Sequence, residues 1–338
     1  MNMYKIILNV SILSLCFMAS CRQNTRGQAA ESGVKSGVES GAGSLFLADP
    51  TIFLDSGTYY LYGTGSPEGF RVYTSGDLVH WSIPAQDSLA LRKGESYGEK
   101  GFWAPQVFCH NGQYYMAYTA NENIAIAVSS HPAGPFRQDT LAPIKAPTRQ
   151  IDPYVFFDDD GKVYLYHVRL ADGNRIFVAE MTGDLMAVKE ETVKECIVAA
   201  SGWENTQKAD WTVAEGPTVL KRNGLYYLFY SANDFRNVDY AVGYAVARSP
   251  FGPWEKTADS PIISRHTIGC NGTGHGDFFR DKNGDRKYVF HTHYSGAAVS
   301  PRRTAVISAD FIPGQGRETD GMQTDAKTLF FPEANEKE

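Results

Sequence analysis

The chain has 338 residues, a length that suits one large β domain or two ordinary ones. At 43% hydrophobic and 21% charged, it is globular in composition. A formal net charge of −6 and a pI near 5.8 argue against a nucleic-acid polyanion as partner.

The first segment is not part of the fold. Lys5 precedes an apolar run from Ile6 to Met18, which ends in Met18-Ala19-Ser20-Cys21. A short apolar segment followed by small residues reads as a secretory signal, too short to span a bilayer as a mature helix. Cys21 directly after Ala-Ser resembles a bacterial lipoprotein signal, which implies cleavage before Cys21 and lipid on its sulfur. Residues 1–20 are then the removed signal, and residues 21–44, rich in Gly, Ser and charge, a flexible tether. The expected location is the outer membrane or periplasm of a Gram-negative bacterium, with the lipid anchor as the only membrane contact. Cys109, Cys196 and Cys270 show no CxxC and no zinc spacing, and read as free or packed thiols.

From residue 45 the chain repeats itself. Ala48-Asp49-Pro50-Thr51-Ile52-Phe53 leads through Asp55-Ser56-Gly57 into Tyr59-Tyr60-Leu61-Tyr62. Ala104-Pro105-Gln106-Val107-Phe108 leads through Asn111-Gly112 into Tyr114 to Tyr118. Asp152-Pro153-Tyr154-Val155-Phe156 leads through Asp160-Gly161 into Val163 to Tyr166. Glu215-Gly216-Pro217-Thr218-Val219 leads through Asn223-Gly224 into Tyr226 to Tyr230, and Gly276-Asp277-Phe278-Phe279 through Asn283-Gly284 into Tyr288-Val289-Phe290. Asn-Gly and Asp-Gly between apolar runs are hairpin signals. The high aromatic share, 19 Tyr, 19 Phe and 5 Trp, is read mainly as strand packing.

Each copy continues into a third and a weaker fourth strand. The third strands are expected at Phe70–Tyr73, Ile124–Val128, Ile176–Glu180, Val242–Val246 and Thr304–Ile307. The fourth are expected near Val79–Trp81, Phe136–Arg137, Met186–Val193 and Trp254–Glu255, with no clear candidate in the last copy. No long window shows a helical period. Five four-stranded antiparallel units predict an all-β, five-bladed β-propeller around a central channel, over residues 45–315, with 316–338 a polar tail. The long segments near 84–102, 139–150, 197–213 and 256–274 read as functional loops.

In a propeller the first strands line the channel in parallel, so their first residues ring one mouth. That ring is Asp49, Trp103-Ala104, Asp152, Glu215 and Gly274-His275-Gly276. Three acids at matching repeat positions, where other copies carry Ala and Gly, point to chemistry rather than turn capping. Asp152 sits beside Glu215, and a neighbouring charge raises a carboxyl pKa, which suits Glu215 to a general acid. Asp49, across the mouth, suits a base that activates water. An acid and a base separated by one water is the inverting glycosidase arrangement.

The ordered set Ala48-Asp49-Pro50, Trp103-Ala104-Pro105, Ile151-Asp152-Pro153, Ala214-Glu215-Gly216-Pro217 and Gly274-His275-Gly276-Asp277 resembles glycoside hydrolase family 43. The resemblance covers about residues 45–310. It implies Asp49 as general base, Asp152 as pKa modulator and Glu215 as general acid. The implied activity is exo-acting release of arabinofuranose or xylose from plant cell-wall polysaccharides, with galactose-type or other furanose sugars as the alternative. It also implies Trp103 as a pocket wall, Arg302 as a sugar-binding arginine with Arg303 as its competitor, and His275 near the substrate. In some members that histidine lies near a channel calcium, held in part through water. Calcium prefers oxygen ligands, and no cofactor is required for carboxylate chemistry. Trp203 and Trp211 are either a leaving-group subsite or a cover over the blade. A monomer is expected. The reading of a different class is a non-catalytic carbohydrate-binding propeller, which would not need the third acid.

Overall fold

The structure is a computed structural model that describes residues 43–84, 89–200, 202–314 and 318–335. The expected signal peptide, Cys21 and nearly all of the tether lie outside the described residues. Among those described, no helix is long and apolar enough to cross a membrane.

The repeats fold into five antiparallel blades. Blade one pairs Ala48–Asp55, Thr58–Thr64 and Tyr73–Ser75; blade two pairs Trp103–His110, Gln113–Ala120 and Asn123–Ser129. Blade three runs through Gln150–Phe157, Val163–Leu170, Asn174–Glu180 and Lys194–Val198. Blade four runs through Ala214–Arg222, Leu225–Ala232, Ala241–Ala247 and Glu255–Lys256. Blade five runs through Gly274–Arg280, Arg286–Thr292, Arg303–Ile312 and Gly321–Phe330. The hairpin turns are the ones their residues dictate: Ser56-Gly57, Asn111-Gly112 and Asn223-Gly224 all take positive φ at both positions, as a type I′ turn requires.

The core is divided among the blade interfaces. Tyr62, Phe70, Tyr118 and Phe136 join blades one and two; Phe108, Ile126, Val155 and Leu165 join two and three. Tyr166, Val178, Val219 and Tyr230 join three and four; Phe229, Tyr244, Tyr288 and Phe290 join four and five. Ile52, Leu61, Trp81, Phe279 and Val289 close the circle between five and one. The aromatic second strands are therefore interface filler, as expected.

Three expectations are corrected. The fourth strand of blade three is Lys194–Val198, because Met186–Val193 turns through a short 3-10 helix at Glu190–Thr192. The predicted third strand of blade one is split: Gly69–Arg71 leaves the blade to pair with Leu89–Arg92, and Tyr73–Ser75 stays. The supposed polar tail is structural. Gly321–Phe330 is the outer strand of blade five, paired to Arg303–Ile312. Its face toward the core carries Met322 and Leu329 among charged neighbours, a pattern too sparse to read as a strand. Beyond it, Glu333–Ala334 runs parallel to His80–Trp81, and the Leu45 amide donates to the Pro332 carbonyl at 3.0 Å.

Candidate active site

Every inner strand breaks register at the same place. The shifts fall between Ala48 and Thr51, Trp103 and Gln106, Ile151 and Tyr154, Glu215 and Thr218, and Gly274 and Asp277. Each bulge holds one residue at positive φ: Asp49 (49°), Ala104 (46°), Asp152 (56°), Gly216 (58°) and His275 (44°). A bulge re-aims a side chain off the sheet, and those of Asp49, Asp152 and His275 line the channel mouth. This corrects the repeat alignment. Asp49 and Asp152 are equivalent, but Glu215 lies one residue earlier in its blade and matches Ala48, Trp103, Ile151 and Gly274. The position equivalent to the two aspartates is Gly216, whose missing side chain leaves room for the His275 ring: a Cβ there would meet it at 2.8 Å.

The bulges are stapled from blade to blade. In four of the five, the amide of the positive-φ residue donates to a side chain on the second strand of the preceding blade. Ala104 donates to Thr64 Oγ1 (2.9 Å), Asp152 to Thr119 Oγ1 (2.9 Å), His275 to Ser231 Oγ (2.8 Å) and Asp49 to His291 Nδ1 (3.2 Å). The corresponding residue of blade three, paired with Ile151, is Val168, which has no acceptor. The Gly216 amide donates instead to Asp152 Oδ2, at 3.2 Å. Asp152 thus completes the ring of staples at the one blade whose second strand has no acceptor, and fixes the peptide next to Glu215.

The three acids have different surroundings. Burial pushes the Asp49 carboxyl up, but the Arg302 guanidinium, His275 and His291 outweigh it and hold Asp49 well below the usual carboxylate range. Arg302 Nη1 lies 3.0 Å from Asp49 Oδ1, and Thr64 donates to Oδ2 at 2.7 Å. Burial keeps His275 and His291 below their ordinary values, His291 at about 3, so Arg302 is the permanent cation. Glu215 goes the other way. Burial lifts it to about 7, Tyr240 and Asn174 pull it down by hydrogen bonding, and the charge of Asp49 adds to the lift. Tyr240 donates to Oε1 at 2.8 Å and Asn174 Nδ2 to Oε2 at 2.9 Å. Asp152 is itself raised well above the carboxylate range, by burial and then by the charges of Glu215 and Asp49. Burial therefore comes before any neighbouring charge in lifting Glu215.

His275 bridges two of the acids, its Nδ1 3.4 Å from Asp49 and 3.8 Å from Asp152. Asp49, Asp152, Glu215, His275 and Arg302 share a pocket of about 410 Å³ walled by Trp103, Trp211 and Phe235. Arg302 lies over the Phe235 ring at 4.5 Å, which fixes the guanidinium beside Asp49. Its competitor Arg303 is instead buried against Phe331, at 3.7 Å. Of the two loop tryptophans, Trp211 enters the pocket, whereas Trp203 packs on Tyr230. Asn174, Tyr240, His291 and Phe235 carry no signal in the sequence, since each is an ordinary strand-end or loop residue there.

Below the mouth the channel narrows to a cavity of about 30 Å³ that includes Asp277. Asp277 Oδ2 accepts from Thr51 at 2.8 Å, and buried Oδ1 has no hydrogen-bond partner among the described residues. Calcium takes six to eight oxygens. One uncommitted carboxylate oxygen in a space of roughly one water does not supply that set, and among the described residues no cluster of three or more His, Cys, Asp or Glu is arranged for a metal.

A propeller whose mouth sets an ionised carboxylate and a protonated one into a sugar-sized, aromatic-walled pocket defines a glycoside hydrolase. The chain belongs to glycosyl hydrolases family 43, whose model matches residues 42–319. It is similar to an endo-1,4-β-xylanase of Bacteroides thetaiotaomicron, with 41% identity and a TM-score of 0.80 over 87% of this chain and 98% of that one. A xylosidase/arabinosidase of Butyrivibrio fibrisolvens is 31% identical over 85% of this chain, which spans 58% of that relative's length. A β-D-galactofuranosidase of Aspergillus niger is 26% identical over 80% of this chain and 81% of its own length.

Proposed function

We propose that the chain is an inverting, exo-acting glycosidase that removes xylosyl or arabinofuranosyl residues from plant cell-wall polysaccharides or their oligosaccharides. The observation that carries this reading is the opposite proton affinity of the two acids. Asp49 is held ionised by Arg302, while Glu215 keeps a proton to about 7. Glu215 gives that proton to the glycosidic oxygen as its bond to the anomeric carbon breaks. Water forms the new bond to that carbon and passes its proton to Asp49. Asp152 holds the Gly216 peptide, and Arg302 and His275 face the sugar. The names of the bacterial relatives support the sugar class, and the buried floor beneath exposed walls supports removal of a terminal residue. Carboxylates fill both proton-transfer roles, so a channel cation would be auxiliary and a chelator should leave turnover intact.

A panel of para-nitrophenyl β-xyloside, α-L-arabinofuranoside and β-galactofuranoside, with xylo- and arabino-oligosaccharides, tests the reading. Turnover of one of the first two, with monosaccharide as the first product and its anomeric configuration inverted by proton NMR, is the expected result. Retained configuration would remove Asp49 from the role of base. Preference for the galactofuranoside would favour the second reading, which the Aspergillus niger relative supports. Internal cleavage alone would favour the endo action named for the Bacteroides thetaiotaomicron relative. We also propose export and lipid anchoring at Cys21; Cys21→Ala should move the protein out of the membrane fraction.

A further inference from the structure

Trp211 stands in the pocket wall with half of its surface (50%) exposed. Its indole N–H donates to Asn174 Oδ1 at 2.9 Å. An indole nitrogen only donates, so it dictates which end of the Asn174 amide it meets. With the oxygen taken, the amide must turn its NH₂ group the other way, and that group donates to Glu215 Oε2 at 2.9 Å. The contact joins two blades. Asn174 opens the third strand of blade three, and Trp211 lies in the segment that leads into blade four. Their backbones are clamped together: the Asn174 amide donates to the Thr212 carbonyl at 2.8 Å. Gly173 lies so close that a Cβ there would meet the same carbonyl oxygen at 2.8 Å.

The pocket floor, with Asp49 and Asp152 buried and His275 11% exposed, takes the terminal sugar. The next sugar must then lie outward, against an exposed wall on the side of the acid. An indole is a flat, apolar face with one polar edge, which suits a sugar ring. We propose that Trp211 is the leaving-group platform and that, through Asn174, it also positions the general acid, so that one side chain both seats the departing sugar and orients its proton donor. This rests on the reading of Glu215 as that acid.

The test uses the full chain, with a disaccharide of whichever pentose it turns over and the methyl glycoside of the same sugar, which lacks a second ring. Tyr240→Phe removes the other donor to Glu215 and serves as the control. Losing a donor to the carboxylate raises its pKa, so the basic limb of the kcat profile should move to higher pH. Asn174→Ala should move it in the same direction. Trp211→Phe keeps the ring but loses the N–H, so it should move the limb less and leave the disaccharide KM within about twofold. Trp211→Ala should raise that KM about tenfold and leave the methyl glycoside's unchanged. If Tyr240→Phe moves the limb while Asn174→Ala and Trp211→Phe do not, the positioning role is overturned. An unchanged disaccharide KM in Trp211→Ala overturns the platform. Glu215→Gln separates the two levels: if it slows the disaccharide and an activated aryl glycoside equally, it is the acid assignment that fails.

Discussion

Asp49 and Glu215 are both buried carboxyls, and what separates them is the partner each is given. Asp49 has a guanidinium at 3.0 Å; the hydrogen-bond partners of Glu215 among the described residues are a phenol and an amide, which cannot repay full burial. Their loss should therefore read out differently. Asp49→Ala removes the group that activates water and should slow every substrate alike, by about 10²–10⁴-fold. Added azide should restore part of that rate by entering where water attacks. Glu215→Ala should instead cripple substrates with poor leaving groups and spare activated aryl glycosides, which need less protonation. Rates measured across a series of aryl leaving groups check this, and equal sensitivity in both variants would refute it. At this scale the sequence was partly readable. Asp49 and Asp152 stand out because each precedes Pro in a repeated phrase. Glu215 stood out too, but its one-residue offset did not, since register belongs to the pairing of strands and not to spacing. Asn174, Tyr240 and His291 become partners only when separate loops and strands converge.

The repeated bulge is the element on which the site is built. An unbroken strand would send alternate side chains to its two faces. The extra residue at the register shifts turns Asp49, Asp152 and His275 toward the mouth, and a hydroxyl, an imidazole or Asp152 holds the peptide at each shift. The first two or three strands of each blade were legible because they are short apolar runs, rich in β-branched and aromatic residues, between Gly-containing turns. The outer strands were not, because they are short, half exposed and paired on one side only. Blade one shows the consequence: its outer layer is supplied by His80–Trp81 and the distant Glu333–Ala334. The Leu45, Glu333 and Asn335 amides donate to Pro332, Val79 and Trp81 across this closure. At about 1 kcal/mol each, three such bonds are worth about 3 kcal/mol. Ending the chain after Phe331 should lower Tm by about 5–10 °C by calorimetry while KM stays unchanged, since the cut lies on the outer edge of the ring. An unchanged Tm would show that the closure carries no stability.

For the whole molecule, the pocket is a site of unfavourable burial set in a ring that is otherwise well packed. Five interfaces of buried aromatic and aliphatic side chains enclose a mouth lined with acids. Between the ordinary glutamate value of 4.5 and about 7, the folded chain keeps a proton on Glu215 that the unfolded chain has released. Stability must therefore fall as pH rises through that window, by about 3 kcal/mol once both limits are passed. Asp277, raised from 3.8 to about 6, acts in the same sense. Asp49 acts in the opposite sense: its folded value is depressed, so its contribution is present above the ordinary value of 3.8 and lost as pH falls through the folded value. Replacing Glu215 by Gln removes the ionisation and keeps the shape. Any hydrogen bond lost to Asn174 costs the same at every pH, so the comparison between two pH values isolates the charge. The Tm of Glu215→Gln minus that of the parent should be about 5 °C more positive at pH 8 than at pH 5. Such a gain, bought with lost turnover, is the trade expected of a functional site. A difference that does not change with pH would mean that Glu215 ionises in the folded pocket at its ordinary value, and the proton it is proposed to donate would have to come from elsewhere.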